Sequence, residues 1–445
     1  HIAPSQILAI ALLLVLLHDP LAVMAPGFWL SFAAVGVILY VARGGTVLAP
    51  WRRWGQLQFA IALGMLPLML WLFQQVSLVA PIANAVAIPV FDALAVPLTL
   101  AGVGLLGVGL DAVAAWCFAA AATLLGWLWY VLQALAAIDV GQWVQHRPNA
   151  IALGAALVGV AWLLAPRGWP ARWVGAVWLL PMLGLRPPGP APGELWFTLL
   201  DVGQGLAAVA RTQHHVLVYD TGARFSTRFD AGRAVVLPYL RARGIDGIDR
   251  LVVSHGDNDH IGGAAALIQA LPVERVQSSV PERLNAEACV AGEQWQWDGV
   301  EFAILNPAAM GTGSDNDASC VLAIRSRYGR VLLPGDIGKR AERRLLQAGA
   351  DLAAEVLVVP HHGSKTSSTE EFIAAVSPRY ALFPVGYRNR YRHPHPQVVE
   401  RYAVLGVQRY DSAGSGAIEI RLTADGVVLE SYRDRARRYW FTQTR

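Results

Sequence analysis

The chain changes character at Arg186-Pro187-Pro188-Gly189-Pro190-Ala191-Pro192-Gly193, and no single fold accommodates both sides of that break. Before it, charges are sparse and apolar runs are long. After it, charged residues are dense and apolar residues come in short bursts. A Pro/Gly stretch lacks the amide donors of a helix or central strand, so residues 187–193 read as a linker. At 445 residues the chain also exceeds the usual size of one domain. The expected layout is a helical membrane domain over 1–186, the linker, an α/β domain over 194–432 and a basic–aromatic tail over 433–445.

In the first part, Leu21 to Ala42, Leu57 to Val76 and Val113 to Leu135 each approach the roughly 20 residues that cross a bilayer. Ala152 to Leu164 and Val174 to Leu185 are shorter. Leu78 to Leu110 is long enough for one tilted or two short helices. Pro81, Pro89 and Pro97 remove amide donors from it, which predicts a broken helix. Gln74, Gln75, Ser77, Asn84 and Asp92 lie in or beside this stretch. Polar groups at membrane depth cost free energy unless they face a pathway or partner, so Gln74, Gln75, Ser77 and Asn84 are candidate channel residues. A place at the membrane–water boundary accounts for them equally well. Arg43, Arg52 and Arg53 form the clearest basic loop and favour the cytoplasm for it. The chain opens at His1 without Met, basic segment or cleavage site, which argues against a signal peptide and for a start inside a longer protein. Of three cysteines, Cys117 lies in a span; Cys289 and Cys320 could pair outside the cytoplasm, but the favoured reading is free thiols.

The second part holds a ligand-rich run, Ser254-His255-Gly256-Asp257-Asn258-Asp259-His260-Ile261-Gly262-Gly263, directly after the apolar strand Leu251-Val252-Val253. His255, Asp257, Asp259 and His260 are four potential metal ligands within six residues. Histidine and carboxylate together suit zinc or manganese. Two such ions side by side activate water and neutralise charge on a phosphate. Strand followed by ligand recurs at Val331-Leu332-Leu333-Pro334-Gly335-Asp336 and at Val356-Leu357-Val358-Val359-Pro360-His361-His362. Asp220, at the end of another strand, is either a hydrogen-bond partner of a ligand histidine or a turn cap. His214-His215 reads as an exposed hairpin turn, and His18, His146 and His395 have no nameable partner. Gly203 and Gly205 do not form a nucleotide phosphate loop, so no bound nucleotide is expected.

This half resembles the metallo-β-lactamase fold, an αββα sandwich with metals at one edge. The family's usual first motif is His-x-His-x-Asp-His; here Asp257 replaces the second histidine. The resemblance makes Asp336 the metal-bridging aspartate and the His361-His362 pair the last ligand motif. It does not say which of the two binds; His362 is favoured, with His361 facing substrate phosphate. The expected grouping is Asp259, His260, Asp336 and His362 around one ion, with His255 and Asp257 holding a second more weakly. A family histidine is missing near Asn316-Asp317-Ala318-Ser319, where Asn316 or Asp317 could ligate or Ser319 could hold a water. The balance tilts toward oxygen ligands and hence toward manganese.

The order of motifs narrows the likeness. Leu199-Leu200-Asp201-Val202-Gly203-Gln204-Gly205, Tyr219-Asp220-Thr221-Gly222, the His255 run, Gly335-Asp336 and His361-His362-Gly363-Ser364-Lys365 come in turn, then Asn389-Arg390-Tyr391-Arg392-His393-Pro394. Upstream stand Phe73-Gln74-Gln75-Val76-Ser77 and Ala83-Asn84-Ala85-Val86-Ala87-Ile88-Pro89. The whole resembles the ComEC family of bacterial competence proteins, without that family's N-terminal part. The resemblance implies an inner-membrane channel carrying one DNA strand, with a metal-dependent hydrolase domain on the periplasmic face degrading the other. It also implies partners, namely a DNA receptor and a cytoplasmic helicase. Asp259, His361 and Lys365 are the candidate catalytic residues, with Arg390 and His393 set to meet substrate. Arg379, Arg388 and Arg392 join that basic cluster, and Arg433, Arg435, Arg437 and Arg438 mix with Tyr439, Trp440 and Phe441 in the tail. Two other readings stay open: a membrane-tethered hydrolase of another phosphodiester, and a non-catalytic domain that guides DNA.

Overall fold

The computed structural model describes residues 2–42, 49–138, 141–166, 168–307 and 316–437, apart from the side chains of residues 50 and 51. Arg43, Arg438 and the aromatic residues Tyr439, Trp440 and Phe441 lie outside the described residues. The chain divides into two units, residues 1–187 and residues 188–445, with 241–244 grouped with the first.

The first unit is helical because its long apolar runs leave the backbone no partner but itself. Among the described residues, three helices are long and apolar enough to cross a membrane: Arg52–Phe73, Ala80–Gly107 and Asp111–Ala136. Shorter apolar helices span Pro4–His18, Pro26–Ala42, Ala150–Leu163 and Val174–Gly184. The helix Pro4–His18 was not legible as a separate element, and Leu21 to Ala42 is a 3-10 turn, Pro20–Met24, followed by the 17-residue helix Pro26–Ala42. The stretch expected to break at its prolines does not. Pro81 falls in the first turn, where an amide is free anyway, and a π turn at Phe91–Ala95 between Pro89 and Pro97 takes up the local mismatch. Strand β1 (Gln75–Ser77) pairs antiparallel with β2 (Gln142–Val144), so Gln75 and Ser77 sit in a short ribbon rather than in a helix. Gln74 is buried at the left-handed end of the preceding helix, where its side-chain amide donates to the Trp71 carbonyl. Asn84 and Asp92 are exposed. Close packing uses small residues: a Cβ on Gly159 would meet the Gly175 carbonyl oxygen at 2.5 Å.

The second unit stacks two sheets. Its strands are β3 (Leu195–Leu199), β4 (Ala208–Arg211), β5 (Val216–Tyr219), β6 (Ile248–Val253), β7 (Val273–Ser278), β8 (Glu287–Ala288), β9 (Gln294–Trp297) and β10 (Val300–Asn306). There follow β11 (Val321–Ser326), β12 (Gly329–Leu333), β13 (Val356–Val358), β14 (Tyr380–Phe383), β15 (Gln408–Asp411), β16 (Ile418–Thr423) and β17 (Gly426–Ser431). One sheet runs β17-β16-β3-β4-β5-β6-β7-β8 and the other β15-β14-β13-β12-β11-β10-β9. In each, antiparallel pairs give way to parallel ones, at β5/β6 and at β12/β13.

Period-two alternation explains the layers. Leu195, Phe197 and Leu199 point between the sheets and meet Val331, Leu333, Val356 and Val358. The alternate residues Leu332 and Leu357 face outward onto Ala341, Leu345, Phe372 and Ile373 of the covering helices. Leu251 and Val253 do the same on the other sheet against Leu237, Leu240 and Leu267. Truncating the fully buried Phe197 to Ala is expected to cost about 3–5 kcal/mol. Cys289 and Cys320 are not free: they form a disulfide, with Cα atoms 5.9 Å apart. Cys289 follows β8 and Cys320 precedes β11, so stacking the two sheets brings together residues that are 31 positions apart. Cys117 is free.

Candidate metal centre

Three strand ends deliver the cluster. β6 leads into Ser254 and His255, β12 into Asp336, and β13 into His361 and His362. The last turn is strained: His361 and His362 both take left-handed backbone, at φ 50° and 53°, which costs of order 1–2 kcal/mol each. Gly363 continues it at φ 80°, where a Cβ would meet Pro394 Cβ at 2.8 Å. Gly205 is required for a different reason: a Cβ there would lie 2.4 Å from the Asp259 carbonyl oxygen. Gly205 therefore lets the turn after Asp201 press against the ligand turn.

Asp220 lies beneath the cluster, fully buried. Its carboxylate accepts the Ser254 amide at 2.6 Å and the Ser254 hydroxyl at 2.7 Å, and stands 2.7 Å from His260 Nδ1. The hydroxyl thus committed can accept from His255 Nδ1, 2.9 Å away. His362 Nδ1 lies 2.8 Å from the Pro384 carbonyl oxygen, which can only accept. These acceptors place the proton on Nδ1 of all three imidazoles and leave each Nε2 with its lone pair.

The three lone pairs converge with carboxylates. Ligand atoms of His255, His260 and Asp336 lie within 4.8 Å of one another, and so do those of Asp259, His260 and His362. Among the described residues these are the two such groups of three, and His260 belongs to both. His260 Nε2 and His362 Nε2 face each other at 3.1 Å, with Asp336 Oδ1 3.2 Å from the first and Asp259 Oδ2 3.3 Å from the second. His255 Nε2 is buried without a hydrogen-bond partner among the described residues. Opposed lone pairs between carboxylates require a cation, and the donor set fits one or two divalent metal ions. The acid–base balance shows the same demand. Burial pushes His260 down, but Asp336 and Asp220 outweigh it and hold the imidazole well above its ordinary value. Burial pushes the Asp336 carboxyl up, and the neighbouring His260 and His362 reverse this to well below the usual range. Asp259 follows the same pattern, brought down to about 2 by His362 and His260 against its burial.

The grouping differs from the one the motif order suggests. His255 joins His260 and Asp336 in one group as well as lying beside Asp257. The Asp257 carboxylate is 53% exposed and 3.4 Å from His255 Nε2. His361 is partly exposed, its Nε2 3.8 Å from Asp336 Oδ2. At the position of the missing family histidine, the Ser319 hydroxyl donates to the Asn316 carbonyl at 2.7 Å and accepts the Asp336 amide at 3.2 Å. Asp317 accepts the Gly338 amide at 2.9 Å, so its carboxylate braces the Asp336 turn. Asn316, Asp336, His361, Lys365, Lys339 and Arg340 line a cleft of about 690 Å³. His393 meets the His361 ring edge-on at 6.1 Å and stacks near His362 at 6.5 Å. Arg390 lies over the exposed Tyr391. Arg379 is not part of this cluster; it precedes β14, at the end of the sheet away from the ligands. His146 and His395 do have partners, the Leu185 carbonyl and the Gln397 amide. Ser254 escaped the motif reading altogether, although it joins Asp220, His255 and His260; its one signal was its place directly before His255.

A family model described as Competence protein matches residues 1–170, and one described as Metallo-beta-lactamase superfamily matches residues 200–387. Competence protein ComA of Neisseria gonorrhoeae is 34% identical over 424 residues, 95% of this chain and 59% of that protein. Recombination protein 2 of Haemophilus influenzae is 30% identical over 490 residues, 97% of this chain and 60% of that protein. ComE operon protein 3 of Bacillus subtilis is 28% identical, over 95% of this chain and 58% of that protein. The chain thus spans about six-tenths of the length of these relatives. The chain carries a Competence protein domain of apolar helices followed by a metallo-β-lactamase domain, and over nearly its whole length it is similar to competence proteins of the ComA/ComEC type.

Proposed function

We propose that this chain is the channel and nuclease portion of an inner-membrane protein for uptake of single-stranded DNA, and that its second unit hydrolyses the strand left outside. The observation that carries this reading is the convergence of three bare Nε2 atoms and two carboxylates beside a cleft lined by Lys339, Arg340 and Lys365. Asp259, His260 and His362 would hold one divalent ion, and His255, His260 and Asp336 another. Manganese or zinc bound there supplies water activation and charge neutralisation at phosphorus. The chain's own residues do the rest. Lys365, exposed in the cleft, and Arg340 meet the phosphate charge. His361, held off the ligand groups, faces the substrate side. Asp220 and Ser254 fix the ligand tautomers, and Arg390 and His393 receive the flanking strand. The Cys289–Cys320 disulfide supports an oxidising, periplasmic location for this unit, since cytosolic thiols are kept reduced. Gln74, Gln75, Ser77 and Asn84 are proposed to border the strand's path, and a DNA receptor and a cytoplasmic helicase are the expected partners.

A guide without catalysis is the second reading. It is favoured by Ser319, which commits its hydroxyl to main-chain groups where the family offers a ligand. Incubating the full chain with end-labelled DNA, with and without manganese or zinc, separates the two. Metal-dependent shortening of the label, absent in His260→Ala, is expected. Intact DNA under saturating metal supports the guide.

A further inference from the structure

We propose that the second unit grips unpaired bases on two exposed aromatic platforms, one fixed to each ligand turn, so that the strand presented to the metal centre is single. The inference rests on the nuclease reading and adds the form of the substrate.

Phe225 and Phe229 make the first platform. Their rings lie 5.4 Å apart and the residues are 58% and 54% exposed. The loop tip carrying them is internally bonded: the Phe225 and Ser226 amides both donate to the Phe229 carbonyl at 3.0 Å. The Ser226 hydroxyl accepts the Arg228 and Phe229 amides. Asn258, between Asp257 and Asp259, ties this loop to the ligand turn. Its Oδ1 accepts the Arg224 amide at 3.2 Å and its Nδ2 donates to the Arg224 carbonyl at 3.1 Å.

Tyr391 makes the second platform. It is 51% exposed and stacks on His393 at 5.9 Å with 13° between the planes. His393 in turn lies 6.5 Å from the ligand His362 at 21°. Three nearly parallel rings therefore lead from solvent to the metal centre. Asn389 holds this loop, accepting the His393 amide and donating to the Gly386 and His393 carbonyls. The Arg390 guanidinium lies 4.7 Å from the centre of the Tyr391 ring that stacks on His393, so a base joins this platform by stacking on that guanidinium or displacing it; Arg388 lies 5.2 Å from the ring of the exposed Tyr387.

Flat exposed rings beside guanidinium groups match what a single strand offers: base faces for stacking and phosphates for charge. A duplex hides those faces in its own stack. Phe225 and Phe229 with Arg224 and Arg228 would also suit a lipid surface. The strand is the better fit, because both platforms are tied to one metal centre and Tyr391 belongs to a ring series ending on a ligand.

The test is binding by the full chain in lipid nanodiscs, with a chelator present to prevent cleavage. Fluorescence anisotropy compares a labelled 12-nucleotide DNA strand, its duplex, and an abasic strand with the same phosphates. The single strand is expected to bind about tenfold or more tightly than the other two. The double change Phe225→Ala with Phe229→Ala, and separately Tyr391→Ala, should each weaken single-strand binding about 5- to 100-fold and leave abasic binding unchanged. Equal binding of abasic and normal strands, indifferent to these changes, overturns the proposal in favour of phosphate contacts alone. A bimane on Phe225→Cys, in a Cys117→Ser background, reports the lipid alternative. Quenching by nitroxide-labelled lipid without DNA overturns the proposal, and quenching by added guanine-rich strand supports it. Base-dependent binding without cleavage after metal is restored would sink the nuclease reading and leave this one standing.

Discussion

The pairs His361-His362 and His214-His215 look alike in the sequence, each at the edge of a strand, and Nδ1 meets an acceptor at His362 as at His214 and His215, yet only around His362 do Nε2 atoms converge. Around His362, the Nδ1 atoms of three imidazoles are taken by acceptors behind them, and the Nε2 lone pairs meet at one place. At the other pair, His214 Nδ1 and His215 Nδ1 both turn to one carboxylate, Asp298, at 2.9 and 3.2 Å. Asp298 also accepts the Thr212 hydroxyl at 2.6 Å and the His214 amide at 2.8 Å, and His215 stacks on Trp297 at 4.9 Å. That cluster joins the β4–β5 turn of one sheet to the β9–β10 turn of the other. Histidine beside aspartate is thus no signal of a metal by itself. What distinguishes the two is whether the acceptors leave lone pairs facing each other.

Removing the ligand common to both groups should have the largest effect. His260→Ala is expected to abolish hydrolysis and reduce bound metal below one-tenth of the wild-type level, read by elemental mass spectrometry. The two aspartates of the ligand run should then separate. Asp259→Ala should lower cleavage at least 100-fold, because its oxygen is in a ligand group, whereas Asp257→Ala, on a largely exposed carboxylate, should lower it less than tenfold. Equal losses in initial rates would remove the distinction. Asp220→Asn leaves the fold's shape but unsettles the His260 tautomer, and a 10- to 100-fold loss of metal affinity by calorimetry is expected.

Two smaller effects belong to the structural side of the comparison. Replacing both Cys289 and Cys320 by Ser should cost about 3–4 kcal/mol in denaturant unfolding, from the entropy of a loop of about 30 residues. Asp298→Asn should cost about 1–3 kcal/mol and leave metal content unchanged. Burial raises the Asp298 carboxyl, but the bonds from Thr212 and His214 outweigh this and hold it well below its ordinary value. A depressed folded value stabilises above the ordinary aspartate range of about pH 4, and that stability is lost as pH falls through the folded value. The variant should therefore lose less stability than the wild type on acidification below about pH 4. An identical acid limb in both proteins would mean Asp298 is not carrying this load.

The candidate ligands could be named because each follows a short apolar strand, and a strand end is a local feature. Their grouping was not. It depends on parallel pairing of β5 with β6 and β12 with β13, and on the stacking of two sheets, which no local pattern specifies. The same holds for Ser254, whose three side-chain partners include Asp220, 34 residues away. It holds also for the disulfide, which the stacking creates. In the apolar unit most helices after Pro4–His18 were legible from length and composition, but the prolines misled. Pro81 costs nothing in a first turn, and the π turn at Phe91–Ala95 lets the helix continue between Pro89 and Pro97.

Convergence of committed imidazoles is the claim on which the rest stands, and metal content tests it most directly. The full chain, His260→Ala and His215→Ala should be loaded with manganese or zinc, desalted and measured by elemental mass spectrometry. One to two ions per chain are expected in the wild type and in His215→Ala, and close to none in His260→Ala. Equal metal in all three proteins, or none in the wild type under saturating load, would contradict the account.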